Sequence, residues 1–154
     1  TPFLKDYGFF ITESYKNHIK YEATKTSIIV GYDEREHYYF TIVGDKLNIS
    51  VPLDANNLTN VFHYDTDKFI RGPFQEFFLD FFLNNGNSIL TGDRGILKEL
   101  KKNRDLRAEE YTRQVLQRQN LDAADNAWHL KNYREFIKHL DLIDKSSLPK
   151  SYEL

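Results

Sequence analysis

From Phe9 to Val51 apolar residues recur at every second position, and from Pro73 onward they recur at every third or fourth. The first spacing lines one face of a strand and the second lines one face of a helix. The alternating part predicts five strands: Phe9–Tyr15, Ile19–Ala23, Ser27–Tyr32, His37–Val43 and Leu47–Val51. Short polar separators join them, including Lys16-Asn17-His18 and Asp33-Glu34-Arg35-Glu36, and Gly44-Asp45 fits a two-residue primed turn. Connections this short predict an antiparallel meander. Pro2 opens a short helix that Gly8 stops, ahead of the first strand.

Pro52 ends the last strand, and Asp54 is placed to cap a helix carrying Leu58, Val61 and Phe62. His63–Gly72 reads as a polar, turn-like stretch. Phe74, Phe77, Phe78, Phe81 and Phe82 then fall at i, i+3, i+4, i+7 and i+8, with Leu79 and Leu83 widening the stripe. Only Gln75, Glu76 and Asp80 are left to face water, so this helix is expected to be almost enclosed. Phe74, Phe77, Phe78, Phe81 and Leu83 are expected among the most buried residues. Thr91 or Asp93 caps a helix running from Arg94 towards Lys102, with Ile96, Leu97 and Leu100 inward. Two further helices are expected, Asp105–Gln119 and Asp122–Ile143, separated near Asn120. In the last, Leu130, Tyr133, Ile137 and Leu140 define a face widened by Phe136 and Ile143.

The fold class is therefore α+β, an antiparallel sheet of about five strands packed against C-terminal helices around a Phe-rich central one. No repeat or linker divides the 154 residues, so one domain is expected: 1–53 mainly β, 54–144 mainly α, and 145–154 an irregular tail.

Composition removes several chemistries. There are no cysteines, which excludes disulfides, thiolate metal sites and cysteine nucleophiles, and suits a reducing cytoplasm. A net charge of -2 supplies no field for nucleic acid or an anionic membrane. No apolar run approaches a membrane span, and the first residues lack the layout of a signal peptide. The chain contains no Met, so removal of an initiator or leader is compatible with its start.

Candidate chemistry is sparse. His63-Tyr64-Asp65-Thr66-Asp67 is the densest group of metal-ligand types, yet it lacks the glycine and closing acid of a calcium loop. Gly92-Asp93-Arg94-Gly95 fits no phosphate-loop pattern and reads as a helix cap. No nucleotide fingerprint or local catalytic triad occurs, so neither a cofactor nor a metal is expected. Lys101, Lys102, Arg104 and Arg107 make the middle of the helical half basic, a possible nucleic-acid face. Interleaved Glu99, Asp105, Glu109 and Glu110 favour a solvated face of weak ion pairs instead. Trp128, His129 and Tyr133 offer an alternative groove for a small enzyme. Tyr32, Arg35, Tyr38 and Tyr39 on the third hairpin are the candidate contacts for a protein partner, because exposed Tyr and Arg dominate many interfaces. Asn48 and Asn57 lie in glycosylation sequons that count only in a secreted protein.

Phe3-Leu4-Lys5-Asp6-Tyr7-Gly8-Phe9, the Tyr21–Tyr32 region, Ile89-Leu90-Thr91-Gly92-Asp93 and Leu97-Lys98-Glu99-Leu100 together resemble a group of small bacterial proteins. These have a β-rich front and a helical back, and some are immunity-like proteins of toxin systems. The resemblance implies protein binding in the bacterial cytoplasm without catalysis, and it assigns no functional residue.

Overall fold

The computed structural model describes residues 2–147. Five antiparallel strands follow one another in space as in sequence: β1 Phe10–Ser14, β2 His18–Glu22, β3 Thr26–Asp33, β4 Tyr38–Asp45 and β5 Ser50–Pro52. Register explains the alternating pattern. Tyr21 pairs with Ile28, Ile28 with Val43 and Val43 with Val51, so one apolar row crosses four strands. A second row, Ile19, Val30 and Thr41, runs beside it on the same face. The other face carries Lys20, which pairs with Glu13 and Glu22 at 3.3 and 3.1 Å.

Two turns are built by aspartates. Asp33 Oδ1 accepts from the N–H groups of Arg35 and Glu36 at 2.8 and 3.1 Å. Asp45 Oδ1 accepts from those of Leu47, Asn48 and Ile49 at 3.0, 2.8 and 2.8 Å. Gly44 and Asp45 thus end β4, and the turn lies after them, at Lys46–Ile49 rather than at Gly44-Asp45.

The helices are α1 Pro2–Asp6, α2 Ala55–Phe62, α3 Asp67–Arg71, α4 Phe74–Asn84, α5 Asn87–Leu90, α6 Arg94–His129 and α7 Tyr133–Asp141. Helix α3 occupies part of the stretch expected to be turn-like. Gly8 takes the left-handed conformation that ends α1, Asp54 caps α2 through the Asn57 N–H at 2.9 Å, and Asp93 accepts from Gly95 N–H at 2.8 Å. Helix α6 does not stop near Lys102 or Asn120. No Gly or Pro interrupts it after Gly95, and aspartate or asparagine alone does not end a helix whose neighbours are good helix formers. Its end comes at Lys131, which is left-handed, while Asn132 N–H closes back on Ala127 O at 2.8 Å. Asn132 and Glu135, three residues apart, then begin α7. Residues 145–147 form a single 3-10 turn where the tail was expected to be irregular, and 148–154 lie outside the described residues.

The chain resolves into two compact units, residues 1–105 and 106–154. The division falls inside α6, where no linker composition marks it. The first unit holds the continuous core: the sheet's apolar rows, Leu58, Tyr64, Ile89, Leu97, Leu100 and four phenylalanines of α4. Asn57, fully enclosed, donates to Pro52 O at 2.8 Å and accepts from Asn103 at 2.6 Å, which ties α2 to β5 and to α6. That enclosure also removes Asn57 as a glycosylation acceptor. In the second unit, Trp128 meets Tyr133 and Phe136 at ring distances of 5.4 and 5.0 Å, and Ile143 is buried. Leu130, Tyr133 and Ile137, expected inward, are exposed, so the covered side of α7 is the one bearing Phe136 and Leu140.

Helix α4 departs from the expected enclosure in one respect. Phe77, Phe78, Phe81 and Phe82 are buried and Phe74 is half-buried, but Leu79 and Leu83 are 41% and 59% exposed. The five phenylalanines already fill the inward arc. The two leucines fall outside it.

Candidate functional site

A groove of about 370 Å³ lies between α4 and the covered face of the sheet. Ile19, Tyr21 and Val30 form its floor, and Phe74, Phe78 and Leu79 form its wall, with Gln75 at the rim. It exists because α4 follows the sheet without covering the β1–β2 side completely. Ile11, the partner of Tyr21 in β1, therefore remains 56% exposed on the same face.

An aromatic line leads into the groove. Tyr32 and Tyr39 lie 4.8 Å apart, Tyr39 stacks on Phe74 at 4.9 Å and 17°, and Phe74, Phe78 and Phe82 follow at 5.7 and 4.6 Å. The Tyr32 hydroxyl also lies 3.3 Å from His37 Nδ1. The four hairpin residues expected to act together are therefore divided. Tyr32 and Tyr39 stand on the groove side, whereas Tyr38 points to the opposite face beside Phe40. Arg35 is exposed within the turn. Strand alternation is the cause, since neighbours on one strand face opposite ways.

Sequence reading did not pick out Ile19, Tyr21, Val30, Gln75 or Leu79 as a site. Leu79 carried the one available signal: apolar residues on α4 exceed what an inward arc can hold.

The second candidate group, Trp128, His129 and Tyr133, lies in the second unit. Trp128 and Tyr133 touch, but His129 is exposed and its Nδ1 lies 2.7 Å from the backbone oxygen of Asp125. Among the described residues it meets no carboxylate, so Trp128, His129 and Tyr133 do not by themselves form an acid–base pair. On the basic stretch, Lys101 pairs with Asp105 at 2.9 Å, while Arg104 bonds Asp105 at 3.1 Å and Ser50 O at 2.8 Å. Lys101, then Arg104, holds the Asp105 carboxyl below its ordinary range. Such pairing spends positive charge that a phosphate backbone would otherwise meet.

The residues around His63 have structural tasks. His63 is the left-handed cap of α2, Asp65 accepts from Asp67 N–H at 3.0 Å, and Tyr64 enters the core. Among the described residues no group of three His, Cys, Asp or Glu is arranged to hold a metal.

Tyr64 donates to Asp80 at 2.6 Å, and Lys68 and Asn84 reach the other Asp80 oxygen at 3.2 and 3.1 Å. The Tyr64 hydrogen bond, and next that from Lys68, hold the Asp80 carboxyl below its usual range. Burial, and then Asp80 itself, push the Tyr64 hydroxyl strongly upward. A lowered carboxyl stabilises the fold above its unfolded-state pKa, and that contribution disappears as pH falls through the folded value. Tyr64→Phe is accordingly expected to cost about 1–2 kcal/mol at pH 7. It should also lose less stability than the parent between pH 7 and pH 3. Urea unfolding at both pH values measures this, and an unchanged pH dependence would contradict the assignment.

Comparison with known proteins yields no match to a family model, to a curated protein or to a solved structure. Among the described residues no helix is long and apolar enough to cross a membrane. The class defined by fold and site is thus an α+β protein with an apolar, aromatic-lined groove.

Proposed function

We propose that the protein is a non-enzymatic protein-binding module whose groove receives the apolar face of an amphipathic helix from another protein. The observation that carries this reading is the groove itself: an open, apolar trough beside a helix, with Tyr39 and Leu79 exposed at its margins. Helix-in-groove recognition uses apolar anchors at helical spacing on just such a surface. Addition of a strand at β1 fits less well. The β1 register shifts between Ile11 and Glu13, and such bulges blunt an edge against further pairing. The resemblance to immunity-like bacterial proteins points the same way, since their task is to hold another protein, and we assign this one to the bacterial cytoplasm.

The test is affinity capture of the partner from source cells, followed by affinity measurement with the purified pair. Leu79→Glu, placed on an exposed position, should weaken the complex at least tenfold, whereas Lys98→Ala, exposed on α6 and absent from the groove lining, should change it less than twofold. Equal affinity of Leu79→Glu and parent would refute the groove. Specific turnover dependent on His129, or RNA binding lost on changing Lys101 and Lys102, would replace this function with an enzyme or a nucleic-acid binder.

A further inference from the structure

At the end of the sheet opposite the Asp33–His37 turn, a second cleft of about 480 Å³ is lined by three cations from three separate parts of the chain. Lys25 comes from the β2–β3 turn, Lys46 from the β4–β5 turn and Arg94 from the start of α6. None of the three is held in an ion pair among the described residues.

The carboxylates nearby make their hydrogen bonds within their own turns and pairs. Asp45 lines the cleft and feels Arg94 at longer range, while its Oδ1 takes three backbone N–H groups of its own turn and its Oδ2 is enclosed. Asp93 caps α6 through Gly95 N–H. Glu22, which Lys46 influences at longer range, is paired with Lys20 at 3.1 Å.

Gly92 lets the α5–α6 connection pack closely against the β2–β3 turn at one side of the cleft. It is left-handed, and a Cβ there would come within 2.7 Å of Lys25 Cβ and 2.9 Å of Thr26 Oγ1. That Thr26 hydroxyl is buried behind the β2–β3 turn and has no hydrogen-bond partner among the described residues.

We propose that this cleft binds a small organic phosphate. Cations arriving from three directions suit a tetrahedral oxyanion, which offers an oxygen to each, better than a planar carboxylate. The cleft is larger than one phosphate, and Leu47 and Leu97 supply apolar wall for the remainder of the ligand. The site shares no residue with the α4 groove, so each stands or falls separately.

Phenyl phosphate is the probe, with benzoate as the planar counterpart, both titrated calorimetrically into the full chain. Phenyl phosphate should bind one to one and at least tenfold more tightly than benzoate. Lys25→Gln, Lys46→Gln and Arg94→Gln should each weaken it at least fivefold, while Lys102→Gln, outside the cleft, should change it less than twofold. These positions are exposed, and thermal unfolding of each variant checks that the fold is kept. Absence of saturable binding up to millimolar probe, equal affinity for benzoate, or equal weakening by Lys102→Gln would overturn the proposal.

Discussion

Phe81→Ala is expected to lower the unfolding free energy by about 3–5 kcal/mol, the range for truncating a fully enclosed phenylalanine. Phe81 has no exposed surface, and its ring meets four others: Phe62 at 5.0 Å, Phe82 at 5.1 Å, Tyr64 at 5.4 Å and Phe77 at 6.0 Å. Removing it opens a cavity bounded by rings from α2, α4 and the α2–α3 connection. Phe78→Ala belongs to the same range, being 4% exposed and packed on Phe3, Phe74 and Phe82. Leu83→Ala, on the same helix, should stay within about 0.5 kcal/mol because its side chain already meets water. Urea unfolding of the three variants makes the comparison. A cost below 1 kcal/mol at Phe81, or equal costs at Phe81 and Leu83, would mean that α4 is oriented differently.

Gly44→Ala is expected to be the most damaging change of a single methyl group, at about 1–3 kcal/mol with the upper end favoured. Gly44 pairs with Ser50, and a Cβ on it would strike the carbonyl of Ile49. That obstacle is backbone, fixed by the Asp45 N–H bond to Ile49 O at 3.0 Å and by the three N–H groups gathered on Asp45. The strand or the turn must therefore shift. Thermal unfolding with amide exchange across residues 41–52 reads the effect; unchanged protection there would show that the turn tolerates a side chain.

How much of this was legible from the chain follows the range over which each interaction acts. The five strands, the Asp54 cap, the Gly8 stop and the inward arc of α4 depend on side-chain period and on contacts within four residues, and all stand in the structure. Gly44 was correctly marked as special but for another reason: it is needed for close approach of the Ile49 carbonyl, not for a positive φ. The breaks expected near Lys102 and Asn120 used residues that can cap a helix but need not, and α6 passes through both. The true break used Lys131, for which a left-handed conformation has no compositional mark.

Period and short-range capping thus specify the α+β class and the content of the core, because a residue's face follows from its place in the repeat. Which residues line the groove does not follow from any repeat. Ile19 and Val30 share its floor through strand register, and Phe74 meets Tyr39 only because α4 crosses the sheet at that point. Lys25, Lys46 and Arg94, far apart along the chain, line one cleft because two sheet turns and the start of α6 meet there. These placements are set by how packed elements exclude water from shared surface, a property of the assembled fold that no local stretch carries.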